Sequence, residues 1–384
     1  MRLRPAYAAL FFFVSLAIIG GYILDDYGIS WDEAIQRRHG RVSLDYAADK
    51  LGLDHQALEP TFDLEDYQWS NYGMIYQIAA SLLELRWGYD DPYQYYRLRH
   101  VINYVLYLLA LVCFYRMLRL RWPDRPWYPL LGTILLVLSP RIFAHAFFNP
   151  KDHILLVFYL IASFTLLRFL RYRSWPSLMV HALATAIALN TRLPALVILA
   201  ATVAILVWES VSERKRISRR LGMAGAYAVL SILLMIPFFP YLWEDTLHRL
   251  VGALSEMSDF DWGGTNLLFG DRLSAVDVPA YYIPAWIVIT TPVMYVLLSL
   301  TGTFRALRTI VQGLPRGKLW TDYTGQCDFV HLGLSVGPIL VVILLHSTLY
   351  NGWRHMHFVY PSLIFLALVG YDGWRQKYPR ATAG

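Results

Sequence analysis

Apolar and polar residues follow one another along this chain in long blocks. Residues 6–24 form the first apolar run. At about 1.5 Å of rise per residue, about 19 residues are enough to span roughly 30 Å of hydrocarbon. No small-residue A-x-A site closes the run, so a membrane helix is expected there rather than a cleaved leader. A long polar segment extends from residue 25 to about residue 100, interrupted by YGMIYQIAASLLEL at 72–85. That stretch is too short and too mixed to cross a bilayer and predicts an amphipathic helix lying in the interface.

Further apolar runs occupy 101–117, 127–138, 153–167, 178–189, 193–208, 221–239, 281–300, 329–346 and 357–369. Together they predict an all-α polytopic membrane protein of about ten transmembrane helices. The runs at 127–138 and 178–189 are short, which predicts tilted, flank-extended or re-entrant elements. Two sizeable polar segments remain, 25–100 and 240–280. The second holds Trp243, Glu244, Asp245 and the glycine-containing DWGGTNLLFGD, a candidate mobile lid. Neither internal repeats nor low-complexity tracts interrupt the pattern, so a single membrane domain over 1–384 is expected.

Composition agrees with a lipid environment: 57% hydrophobic, 15% aromatic and 16% charged residues, with mean hydropathy +0.39. The formal charge of +6 sits at the ends of apolar runs without an interleaved aromatic stripe, which excludes nucleic acid as a partner. With the N-terminus inside, the inner segments carry Arg2, Arg4, Arg116, Arg119, Arg121, Arg125, Arg168, Arg171, Arg173, the cluster from Arg214 through Lys215, Arg216, Arg219 and Arg220, and Arg305, Arg308, Arg316, Lys318, Arg375, Lys377 and Arg380. Short outer connections carry at most two basic residues each, the positive-inside pattern, with both termini cytoplasmic. Most carboxylates fall on the outer side. Trp31, Trp69, Trp87, Trp243, Trp262 and Trp353 fit interfacial anchors. Cys113 lies in an apolar run and Cys327 in a polar connection, with neither disulfide nor zinc spacing.

Candidate chemistry gathers on the outer side. DDYGISWDEAIQRRHG at 25–40 places Asp32 beside Glu33 just beyond the first helix. SPRIFAHAFFNPKD at 139–152 holds Arg141, His145, Asn149, Lys151 and Asp152. Arg192 follows Asn190 and Thr191 between two apolar runs, and HSTLYNGWRHMHFVYP at 346–361 holds Arg354, His355 and His357. Cations recessed between helix ends favour an anion, and phosphate suits both the planar fork of Arg and the point charge of Lys. A carboxylate near them, free of direct pairing, can act as a base. Taken singly, each feature has an ordinary reading: a solvated acidic loop, or an Arg snorkelling to headgroups. His355 and His357, one residue apart, are a weak metal signal. GLSVG at 333–337 matches G-x-S-x-G but lies in an apolar run without a preceding strand, and reads as small-residue helix packing.

The ordered set of ISWDE, NYGMIY, YRLRHVINY and SPRIFAHAFFNPKD resembles the GT-C superfamily of membrane glycosyltransferases. It is most similar to the branch of protein O-mannosyltransferases and the lipid A aminoarabinose transferase (glycosyltransferase family 39-like). The resemblance covers about 6–192, and more loosely PYLWED, YYIPAWIVITTP and WRHMHFVYP. It implies a GT-C-like bundle with a large first outer loop, and an inverting transfer of sugar from a polyprenyl-phosphate donor to an acceptor hydroxyl on a lipid, glycan or protein. Asp32 takes the place of the catalytic base with Glu33 as companion, and Asp152 that of the second acidic residue. Lys151, Arg354, Arg192 and Arg141 are the candidates for the donor phosphate, with His145, Asn149, His355, His357 and Tyr72 as further pocket residues. No cofactor is required by this scheme, and a divalent metal is compatible with it without being demanded. The expected location is a plasma (inner) membrane with the site facing the periplasmic or extracellular side. The alternative from another class is a transporter or flippase for a lipid-linked or anionic substrate. It predicts paired broken helices and midplane charge rather than ionisable groups at one face.

Overall fold

The structure is a computed structural model that describes residues 4–67, 70–213, 216–258 and 263–378. Arg2, Trp69, Arg214, Lys215, Asp261, Trp262 and Arg380 lie outside these ranges. The first apolar run forms α1 (Pro5–Tyr22), and the polar segment after it holds α2 (Glu33–Lys50) and α3 (Ile75–Trp87). The 30-residue α4 (Pro92–Arg121) starts at Asp91, whose side chain accepts the backbone N–H of Tyr93 and Gln94, with Pro92 in the first turn. Next come α5 (Tyr128–Val137), α6 (Pro140–Phe148), α7 (Asp152–Tyr172), α8 (Trp175–Leu189), α9 (Leu196–Glu213), α10 (Ile217–Met235) and α11 (Thr246–Ser258). A hairpin of β1 (Thr265–Leu268) and β2 (Asp271–Ser274), paired antiparallel, precedes α12 (Tyr282–Thr290), α13 (Val293–Gly313), α14 (Tyr323–Leu344) and α15 (Tyr360–Lys377).

The chain is an all-α, multi-pass membrane protein. Among the described residues, six helices are long and apolar enough to cross a membrane, and up to seven if the bent pair α5–α6 is one span. Part of the difference from about ten apolar runs has a local cause in proline, which lacks an N–H and drives the preceding residue out of the helical region. Thr291, before Pro292, is extended (φ −107°, ψ 138°) and divides the 281–300 run into α12 and α13. Ser139, before Pro140, is likewise extended (φ −88°, ψ 100°), and α5 and α6 meet at 70°. The 178–189 run becomes the 15-residue α8, too short to qualify by length.

Helix α7 is the axis of the bundle. Other parts of the protein cover 78% of its apolar window, against 22% for the peripheral α1. Close helix contact is made by α13 and α15, where a Cβ on Gly302 would lie 1.8 Å from the Leu366 carbonyl oxygen and one on Gly370 2.1 Å from that of Leu298. The expected small-residue packing at Gly333 and Gly337 is not found, since a Cβ on either would meet nothing within 4 Å. Cys327 is not in a polar connection either but is buried within α14.

The helices of the 25–100 segment are fastened by buried polar groups. Arg99, 1% exposed, donates from Nε to Glu84, from Nη1 to Gln77 Oε1 at 2.7 Å and from Nη2 to Ser81 Oγ at 3.1 Å. Glu84 also accepts from Arg37 Nε of α2 at 2.8 Å, and Gln77 Nε2 donates to the Pro150 carbonyl at 3.0 Å. One guanidinium thus ties α4 to α3, and through shared partners to α2 and the turn before α7. Arg99→Lys keeps the charge but loses the planar fork, leaving Gln77 or Ser81 without its donor. The expected cost is about 1–3 kcal/mol, read as a lowered midpoint in denaturant unfolding of the detergent-solubilised protein.

Candidate active site

The start of α2 is held from both sides. Glu33 is 1% exposed: its Oε1 accepts the Ser30 backbone N–H at 2.6 Å, and its Oε2 lies 2.8 Å from His100 Nε2 of α4. Ser30 Oγ donates to the Phe148 carbonyl at the end of α6, at 2.9 Å. Next to Glu33, at the cap position of α2, Asp32 lies against the segment before α15. There Asp32 Oδ2 meets Arg354 Nη2 at 2.8 Å, with both side chains under one-fifth exposed.

Arg354 also reaches Asp152. Its Nε is 3.3 Å from Asp152 Oδ2, while Asp152 Oδ1 accepts from Arg192. Asp152 is buried between two guanidiniums at the first residue of α7, where the helix N-terminus also favours negative charge. Its position is set by Asn149, whose Oδ1 accepts the backbone N–H groups of Lys151 (3.1 Å) and Asp152 (2.9 Å). Asn149 Nδ2 donates to His145 Nδ1 at 2.9 Å, so the NPKD motif closes α6 onto α7 and both Asn149 and His145 serve that turn.

Lys151 makes no ion pair among the described residues. Its Nζ sits 4.9 Å from the centroid of the Tyr72 ring, and burial together with repulsion from Arg192 pulls its pKa down to about 8 against the pull of Asp152 and Asp32. Tyr72 is brought there by Gly73. A Cβ at Gly73 would lie 1.8 Å from the Asn190 carbonyl oxygen, so only glycine allows this approach. Asn190 answers by accepting the backbone N–H of Met74 (3.1 Å) and Ile75 (2.9 Å) on Oδ1, capping α3.

The remaining sequence candidates occupy the margins. Arg141 makes no ion pair among the described residues. His355 is edge-on to Tyr350 at 4.3 Å between centroids, and burial holds it neutral with a pKa of about 3. His357 faces His145 (5.1 Å) and Trp353 (5.0 Å), and burial holds it well below the usual histidine range. The two histidines therefore look towards different neighbours. Among the described residues, no group of three or more His, Cys, Asp or Glu is arranged to hold a metal ion.

The geometry thus joins Asp32, Arg354, Asp152 and Arg192 in one chain of contacts with Lys151 beside it. Glu33 is turned away from that chain onto His100. Four cations, Lys151, Arg354, Arg192 and Arg141, stand against the two carboxylates Asp32 and Asp152, an excess suited to an anion. Sequence reasoning missed His100 and Arg99 as partners of the first loop. Their signal was two ionisable residues side by side where the 101–117 apolar run begins. The second polar segment is tied to the same neighbourhood: Asn266 Nδ2 donates to the Leu349 carbonyl at 2.6 Å, and the Leu349 N–H to the Ala275 carbonyl at 3.0 Å.

Residues 99–243 match the family model described as dolichyl-phosphate-mannose-protein mannosyltransferase. No curated protein and no solved structure matches the chain. The matched stretch takes in Arg141, His145, Asn149, Lys151, Asp152 and Arg192, and leaves out Asp32, Glu33 and Arg354. The resemblance to the protein O-mannosyltransferase branch is borne out over those residues, and the match supports a membrane glycosyltransferase of the GT-C type.

Proposed function

We propose that this protein is an inverting glycosyltransferase. It moves a sugar from a polyprenyl-phosphate donor to an acceptor hydroxyl at the membrane face that bears Asp32, which is the outer face by the charge bias of the sequence. The observation that carries this reading is the linkage of Asp32, from the first loop, to Arg354, Asp152 and Arg192, from three later helix junctions, at 2.8 and 3.3 Å for the two Arg354 contacts.

In the reaction, Asp32 takes the proton of the acceptor hydroxyl as its oxygen attacks the anomeric carbon. The bond from that carbon to the phosphate oxygen breaks, and one displacement inverts the configuration. The phosphate departs as an anion, so positive charge suffices at the leaving oxygen and no general acid is needed. Lys151 and Arg354 supply that charge, with Arg192 and Arg141 behind them. Donor phosphate competes with Asp32 for Arg354 Nη2, so donor arrival frees the carboxylate for proton transfer. Glu33, bound to His100 and the Ser30 N–H, positions Asp32 rather than touching substrate. Asp152 holds Arg192 and Arg354 in place. The hairpin of the 240–280 segment, latched to Leu349, is the lid over the Arg354 segment.

The test is transfer from a polyprenyl-phosphate mannose donor, with binding and turnover measured separately. Lys151→Met is expected to weaken donor binding about tenfold or more with a smaller effect on turnover of bound donor. Because the Lys151 pKa lies at about 8, the ammonium is present below that pH and lost above it. Donor affinity of the wild type is therefore expected to fall as pH rises from 7 to 9, and Lys151→Met to flatten the profile. Wild-type donor affinity in Lys151→Met would move the phosphate elsewhere.

A further inference from the structure

At the end of α7 remote from Asp152 lies a cavity of about 560 Å³. The 21 residues of α7 separate the two by about 30 Å at about 1.5 Å per residue, so the cavity is no part of the site above. Its walls are the last turns of α7 and α9 and the first turn of α14, and its rim is the connection from Arg316 to Asp322.

Three cations line it, Arg171, Arg316 and Lys318, and none makes an ion pair among the described residues. The carboxylates of the same cavity are already engaged. Glu209 is paired by Arg173 and Arg220, Glu213 by Arg220, and Asp322 accepts the Gly325 backbone N–H at 2.8 Å. Arg173 and Arg220 balance Glu209 and Glu213, which leaves the three lining cations against the single carboxylate of Asp322, a net excess of two positive charges. Arg171 lies over the Tyr323 ring at 5.0 Å, and Trp208 and Trp320 flank the opening, with Trp320 packed against Phe329 at 5.1 Å. A basic helix end alone needs no explanation beyond topology. Here Arg171, Arg316 and Lys318 line one cavity together with Trp208, Trp320 and Tyr323, at the ends of the apolar helices α7 and α9.

We propose that this cavity binds the phosphate of an anionic ligand, the phosphodiester headgroup of a membrane lipid or a free phosphate, with Arg171, Arg316 and Lys318 as its ligands. The lipid is the expected source, because the cavity opens between helix ends and its Trp208 and Trp320 offer a surface to glycerol and upper acyl chain. The inference is independent of the transferase reading, and its test does not measure sugar transfer.

The full chain is placed in nanodiscs of phosphatidylcholine with and without phosphatidylglycerol, and phosphatidylglycerol retained on release is counted by native mass spectrometry. Wild type is expected to retain it selectively, and each of Arg171→Gln, Arg316→Gln and Lys318→Gln to lower retention about fivefold. These three side chains are exposed, so their replacement leaves the fold intact, which helix content and melting midpoint verify. Arg308→Gln, an exposed cation outside the cavity, is the matched control and should retain wild-type binding. If inorganic phosphate displaces the lipid, or binds with the same dependence on the three cations, the phosphate site stands and its source is assigned accordingly. Retention unchanged in all three variants, or lost equally in Arg308→Gln, overturns the proposal.

Discussion

Asp32→Asn is expected to slow transfer from bound donor by about 10²- to 10⁴-fold, the contribution of a positioned general base. Donor affinity should be retained or tightened. The amide cannot take up the acceptor proton, yet it frees Arg354, now 2.8 Å from the carboxylate, for the donor phosphate. A rapid-quench single-turnover assay read beside equilibrium donor binding separates the two effects. A variant that turns over bound donor at the wild-type rate would remove Asp32 from the chemistry. One that folds but no longer binds donor would assign it to the phosphate site instead.

Asp152→Ala is expected to cost about 3–5 kcal/mol of stability, because it strands buried positive charge rather than merely deleting a contact. The Asp152 side chain is fully buried, and it is the common partner of Arg192 and Arg354, themselves 11% and 17% exposed. Removing one guanidinium as well should recover part of the loss, so Asp152→Ala combined with Arg192→Met is expected to be more stable than Asp152→Ala alone. Denaturant unfolding of the wild type, Asp152→Ala, Arg192→Met and the double variant gives the coupling. A loss below about 1 kcal/mol for Asp152→Ala would mean that water reaches both guanidiniums and that the cluster is looser than the contacts imply.

Several elements were legible before any coordinates. The 72–85 stretch falls mostly in a helix, α3, and most long apolar runs lie in helices, although α4 begins nine residues before its run and α15 ends eight residues after its own. Part of what misled the span count was proline chemistry at 140 and 292. Hydropathy averages over such positions, whereas the backbone bends or breaks there. GLSVG was read as a packing motif because two small residues four apart share a helix face. In the fold a Cβ on either glycine would meet nothing within 4 Å, and the close contact between α13 and α15 is instead made by Gly302 and Gly370.

The candidate site divides in the same way. Asp32, Lys151, Asp152, Arg192 and Arg354 could be named from the chain alone, because ionisable groups bordering apolar runs are costly unless they have work to do. Their partners could not. Glu33 reads as the twin of Asp32 in ISWDE, yet it meets His100, and Asn149 accepts the backbone N–H groups of Lys151 and Asp152 at the start of α7.

By itself, the sequence determined which stretches are apolar and helical, that they need lipid, and which residues carry charge at their ends, since each of these follows from local composition and from the 1.5 Å rise of a helix. Only the tertiary structure decided that Asp32 pairs with Arg354, far along the chain, and that Asp152 sits between two guanidiniums. Ion pairs of this range depend on how helices pack and turn about their axes. A rotation of one residue carries a side chain about 100° around its helix, and no pattern along the chain records that angle.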